Sequence, residues 1–167
     1  MISLEHELLN SGILVRGNFV LASGRPASQK LDWDLINPAS QVFNRVVKEM
    51  AERVKQYAPD AIIAVPNGAN LLAKRVADLL EISFIETKKT TSSRFALVGA
   101  KTDVSPIRLL LVDDIFTTGT NMSNLCSDLG LIPMAGIVVW DRSAPGDRPK
   151  IDFPLISLVK RYIPLEG

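Results

Sequence analysis

The chain has 167 residues, 47% of them hydrophobic and 22% charged, a composition that fits one soluble globular domain with one good core. With 19 basic and 18 acidic side chains the net charge is +1, so charge carries no footprint of a nucleic-acid partner. One cysteine, Cys126, and one histidine, His6, exclude an intrachain disulfide and metal centres built on either residue type, and no apolar run reaches the length of a membrane span, so a cytoplasmic protein is expected.

In chain order, residues 3–11 are predicted to form a short amphipathic helix, and residues 12–24 alternate loosely before a turn. SGRPAS (23–28) reads as a loop and LDWDLI (31–36) as a short strand. Asn37-Pro38 reads as a helix start, with Asn37 as the cap and Pro38 in the first turn. Val42, Phe43, Val46, Val47, Met50 and Val54 then recur at helical spacing.

From residue 60 the pattern alternates. AIIAV (61–65) predicts a strand, PNGA a turn, LLAKRVADLL (71–80) a helix and ISFIE (82–86) a strand. Residues 87–107 are polar and broken, with one apolar island, FALVG. RLLLVDD (108–114) predicts a central strand, NMSNLCSDLG (121–130) a helix with a glycine stop, and MAGIVVW (134–140) another strand. A Pro/Gly-rich loop and a last strand, PLISLV (154–159), complete the chain. Apolar strands alternating with helices predict an α/β fold, a mainly parallel sheet covered on both faces. In such folds ligands sit beyond the carboxyl ends of the strands, where strand order reverses. The acidic pair Asp113-Asp114, the PNG turn, Glu86-Thr87-Lys88 and Asp141-Arg142 all fall at such ends.

The stretch LLLVDDIFTTGT (109–120) carries the chemistry. A loop entering a helix offers backbone N–H groups to an anion, and the helix dipole adds to the attraction. Thr117, Thr118 and Thr120 add hydroxyls, and Gly119 lets the backbone come close, which suits a phosphate monoester. The patterns GxxxxGK[ST] and GxGxxG are absent. Asp113 and Asp114 would repel a bare phosphate, but carboxylates accept hydrogen bonds from vicinal hydroxyls, so a ribose 5'-phosphate satisfies both halves. A bound Mg²⁺ would also join sugar oxygens to the acids.

This stretch resembles the phosphoribosyl-pyrophosphate signature of the type I phosphoribosyltransferases, with the similarity nearest to the orotate enzymes. FVLASGR (19–25), VPNGANLLAKRVADLL (65–80), VVWDR (138–142) and the ISLV strand extend it over most of the chain. The resemblance implies one domain, with residues 1–36 as a small N-terminal hood and residues 37–167 as the core. It implies transfer of a 5-phosphoribosyl group to a nucleobase with release of pyrophosphate, Mg²⁺ arriving on the diphosphate, and a homodimer. Asp113 and Asp114 would bind the ribose hydroxyls, and Thr117, Thr118, Gly119 and Thr120 the 5'-phosphate. Pro66, Asn67 and Gly68 would cradle pyrophosphate, Ser23 and Gly24 would touch the base, and Arg142 would grip the orotate carboxylate. Lys88 would help neutralise the diphosphate, and Arg94 lies in what would be a mobile lid.

The chain also departs from that pattern. Alanine stands at 22 where the orotate enzymes carry lysine, TTSSRF follows Lys88-Lys89 where K-x-H-G is expected, and Ser28, Gln29, Lys30 and Leu31 replace aromatic residues. Three readings stay open: an orotate phosphoribosyltransferase with a variant lid, an enzyme for another nucleobase, and a non-catalytic protein that binds phosphoribosyl pyrophosphate or a nucleotide.

Overall fold

The computed structural model describes residues 1–21, 24–99 and 107–166. Five strands form its central sheet: β3 (Ala61–Ala64), β4 (Ser83–Ile85), β7 (Leu109–Phe116), β8 (Ala135–Asp141) and β9 (Leu155–Lys160). Their order is β4-β3-β7-β8-β9, and every neighbouring pair is parallel. The order reverses between β3 and β7, so the ligand crevice of a doubly wound sheet falls beyond the carboxyl ends of those two strands.

Helices cover both faces. Ile62, Ala64, Leu110, Val112, Ile137 and Val139 pack with α2 (Gln41–Val54) and α3 (Ala69–Leu80). The alternate residues Ala61, Ile63, Leu109, Leu111 and Val138 pack with Met122 and Leu125 of α4 (Thr120–Leu129). All four residues of β3 are buried, which is why these strands read as unbroken apolar runs. Full burial of one such Ile or Leu side chain contributes about 1.5–3 kcal/mol. Among the described residues no helix is long and apolar enough to cross a membrane.

Outside the sheet, α1 (Leu4–Asn10) packs on the core through Leu4 and Leu8. The strands β1 (Leu14–Val20) and β2 (Pro26–Leu31) form an antiparallel hairpin. Here the expected SGRPAS loop is corrected, because strand pairing begins at Pro26. Ala27, Gln29 and Leu31 turn inward, and buried Gln29 donates from Nε2 to the Pro164 carbonyl at 2.7 Å. The strand expected at LDWDLI is a 3-10 turn, Trp33–Leu35, in which Asp32 caps the Asp34 N–H and Trp33 tilts against Phe43 at 5.2 Å.

The cap of α2 is Ser40, whose Oγ accepts from the Phe43 N–H at 3.2 Å. Asn37, expected as that cap, closes the preceding turn by accepting from the Ala39 N–H at 2.9 Å. The polar stretch after residue 86 contains a short hairpin of β5 (Thr87–Lys89) and β6 (Phe95–Leu97). Residues 100–106 of that stretch lie outside the described residues.

Candidate functional site

The sheet carries the acids further than a strand ending at Asp114 would. β7 continues to Phe116, pairing Asp113 with Val138 and Phe116 with Asp141, so both carboxylates project from a rigid strand. Asp113 is 8% exposed. Its Oδ1 accepts from the Asp114 N–H at 2.8 Å, and Asp114 Oδ1 accepts from the Ile115 N–H at 2.6 Å. Burial, with the neighbouring Asp114 charge, holds the Asp113 carboxyl well above its ordinary range. Burial also raises Asp114, and the charge of Asp34 adds to the rise. Two acids that ionise reluctantly would gain from hydroxyl donors or a cation placed beside them.

Beyond Phe116 the chain turns through Thr117, Thr118 and Gly119 into α4. Gly119 has φ 87° and as N-cap offers no side chain to the first-turn amides, of which the Thr120 N–H donates to Thr118 Oγ1 at 3.4 Å. A Cβ here would meet Ile151 Cγ2 and the Phe116 ring at 3.1 Å, besides being strained at that φ. The Thr118 and Thr120 hydroxyls lie 2.8 Å apart. They line a cavity of ≈ 170 Å³ together with Asp113, Thr117, Gly119, Asn121, Lys30 and Arg142.

Across the strand-order reversal, the Pro66-Asn67-Gly68 turn lies between β3 and α3, and its Pro66–Asn67 peptide is cis. Thr87 is buried and donates from Oγ1 to the Ala64 carbonyl at 2.6 Å, fastening β5 beside this turn. Gly68 approaches the acids closely. A Cβ on it would stand 2.6 Å from Asp114 Oδ2 and 3.0 Å from Asp34 Oδ1. Asp34, on the 3-10 turn of the N-terminal part, therefore joins the acidic pair at the crevice. Nothing in the local sequence marks it, because the meeting runs through Gly68, and glycine adjacency across space has no sequence period.

Arg142 is 2% exposed and continues from β8, its N–H donating to the Phe116 carbonyl at 2.9 Å. Its guanidinium donates to the carbonyls of Gln29 (3.4 Å), Ile163 (2.9 Å) and Pro164 (3.2 Å), and its Nε is buried with no partner among the described residues. The ion pair with Asp141 or Asp147 that the sequence leaves open is not formed: Asp141 accepts from Ser143, and Asp147 pairs with Arg25. Arg142 thus ties β2 to the segment of Ile163 and Pro164 while lining the cavity. Arg142→Leu would remove a donor from the carbonyls of Gln29, Ile163 and Pro164, the last of which keeps Gln29 Nε2, and is expected to destabilise the chain by about 3 kcal/mol, read from urea unfolding.

The remaining candidates divide. Lys88 is exposed on β5. Lys89 sits over the Phe95 ring at 5.3 Å. Arg94, 69% exposed at its side chain, pairs with Asp128 at 3.3 Å near the carboxyl end of α4, about 12 Å along that helix from the threonine loop. The structure does not bring Arg94 to the cavity. Gly24 is exposed at φ 83°, and Ser23 lies outside the described residues. Lys30, which the sequence reading left without a role, stands on the cavity wall, 3.6 Å from Asp32 and 4.6 Å over the Phe19 ring. Trp33 and Trp140 are packing residues, and Trp140 Nε1 donates to the Arg161 carbonyl.

No family model matches the chain. An orotate phosphoribosyltransferase of Sulfurisphaera tokodaii is 27% identical over 160 residues, covering 92% of this chain and 81% of that protein. The crystal structure of orotate phosphoribosyltransferase from Aeropyrum pernix superposes with a TM-score of 0.71 at 23% identity, covering 94% of this chain and 93% of the other. An adenine phosphoribosyltransferase from Thermoanaerobacter pseudethanolicus superposes with a TM-score of 0.67 at 18% identity, covering 95% and 99%. These neighbours share the α/β fold, with a mainly parallel central sheet flanked by helices. The chain is a distant relative of the type I phosphoribosyltransferases, and orotate phosphoribosyltransferases recur among its curated relatives.

Proposed function

We propose that the chain transfers a 5-phosphoribosyl group from phosphoribosyl pyrophosphate to a nucleobase, with orotate as the acceptor. One observation carries the reading: at the sheet's switch point Asp114 stands against Gly68 of the Pro66–Gly68 turn, and its neighbour Asp113 shares a cavity with the threonine loop that starts α4. On this reading residues 1–36 are the hood and residues 37–167 the core of one domain.

The 5'-phosphate takes the hydroxyls of Thr117, Thr118 and Thr120 and the amides opened by Gly119. The ribose hydroxyls donate to Asp113 and Asp114. The diphosphate lies toward Pro66, Asn67 and Gly68, with Lys88 as the nearby cation and Mg²⁺ arriving as part of the substrate to neutralise the leaving oxygens. The C1–oxygen bond to pyrophosphate breaks, a ring nitrogen of the base that has given up its N–H proton forms the new bond to C1, and pyrophosphate leaves with the bonding electron pair. The protein holds the sugar in place and keeps water from the cationic ribose. Ser23 and Gly24 belong to the loop beside the base. The N–H of Arg142 Nε, without a partner among the described residues, and the Lys30 ammonium favour a base that carries a carboxylate.

A second reading, binding without efficient turnover, is favoured by the hairpin. Of its three cations Arg94 and Lys89 are engaged on α4 and Phe95, which leaves Lys88 to serve the diphosphate. Pyrophosphate release, followed with phosphoribosyl pyrophosphate, Mg²⁺ and one base at a time, separates the readings. Release with orotate alone is expected. Release with adenine or another base in its place overturns the acceptor, and tight binding without release moves the assignment to the second reading.

A further inference from the structure

On the far side of the threonine loop lies a wider cleft, ≈ 890 Å³, between the 143–150 loop and the end of β9. Thr117 and Thr118 wall both spaces, but the acids of the candidate site do not reach this one. Its charge is lopsided. Arg148, Lys150 and Lys160 are exposed and form no ion pair among the described residues. Arg25 reaches Asp147 only at 3.8 Å, with both side chains about half exposed, a pair that contributes little and releases easily. Asp141, the other acid in the cleft, is buried and already accepts from Ser143. Four cations are therefore available to a ligand, and Tyr162, 44% exposed, lines the same cleft with an aromatic ring.

We propose that this cleft is a second binding site, for a nucleoside polyphosphate. Phosphate oxygens are what several convergent Lys and Arg side chains hold best, and an exposed aromatic ring beside them stacks on a planar base. The volume lies within the range of small-molecule sites. The cleft is also joined to the candidate phosphate loop, because the Lys150 N–H donates to the Thr118 carbonyl at 2.8 Å. A ligand that draws in Arg148 and Lys150 bears on the backbone of that loop, and the two sites change each other's affinity by one shared factor.

The test is calorimetric titration of ATP into the full chain, into Arg148→Glu/Lys160→Glu, into Tyr162→Ala and into Gly119→Val. The expected result is one ATP per chain, weakened at least about tenfold by the charge reversal and weakened by Tyr162→Ala. Gly119→Val, which obstructs the candidate phosphate loop, retains ATP while losing phosphoribosyl pyrophosphate. No binding of ATP to the parent chain overturns the proposal, as does loss of ATP in Gly119→Val with retention in the charge reversal. Inorganic tripolyphosphate binding as tightly as ATP overturns the assignment of a nucleoside. The reversed residues are solvent-exposed, and Tyr162→Ala supplies an independent arm if the double variant does not fold. Failure of the phosphoribosyl reading is seen separately, as no binding of phosphoribosyl pyrophosphate to the parent chain.

Discussion

Asp113→Asn is expected to melt above the parent chain and to bind phosphoribosyl pyrophosphate at least about tenfold more weakly. The two effects share one cause. Asp113 is buried beside Asp114, and desolvation, more than that neighbour, holds its carboxyl well above the ordinary range. The folded state therefore binds a proton that the unfolded chain has already released. Between the ordinary carboxylate range and the raised folded value, the parent loses stability as pH rises. Asparagine is nearly isosteric, keeps an oxygen to accept from the Asp114 N–H, and removes that penalty, for a gain of about 1 kcal/mol. The difference in melting temperature between variant and parent should grow from acid toward neutral pH, which a pH series of thermal melts reads directly. Affinity falls because the charged acceptor for a ribose hydroxyl is gone. A variant that melts higher and binds unchanged would remove Asp113 from the site.

Gly68→Ala should also weaken phosphoribosyl pyrophosphate at least about tenfold, with little change in stability. Gly68 has φ −59° and ψ −34°, which alanine adopts without strain, so the backbone gives no reason for glycine there. The reason is the neighbour. A Cβ would stand 2.6 Å from Asp114 Oδ2, inside any real contact, with Asp34 Oδ1 at 3.0 Å on the other flank. The carboxylate of Asp114 must swing away, and the sugar loses a charge-assisted bond. Calorimetry beside a urea melt separates this from unfolding: unchanged affinity would mean that Asp114 does not bind the sugar in the orientation seen here.

Much of the fold was legible because β3, β7 and β8 are covered on both faces and so read as continuous apolar runs. The strand β2 was not. PASQKL buries a glutamine whose partner is a carbonyl 135 residues away, and no local pattern announces such a bond. β5 and β6 have three residues each, too few to display a period. In the site, the residues from Asp113 to Thr120 are contiguous and readable as chemistry. Asp34 and Lys30 arrive from the N-terminal part across space, and Arg142 has its carbonyl partners in β2 and at Ile163. The misplaced cap of α2 has a simpler origin: Asn37 and Ser40 both cap well, and the one nearer the apolar stripe starts the helix while the other closes the turn.

The most direct measurement is a calorimetric titration of phosphoribosyl pyrophosphate with Mg²⁺ into the parent chain, repeated on Gly119→Val. Binding of one molecule per chain, abolished when a side chain fills the close approach of the loop to Ile151 and Phe116, is the predicted result. No binding to the parent chain, or equal binding to the variant, would contradict the assignment of Asp113 to Thr120 as the phosphoribosyl site.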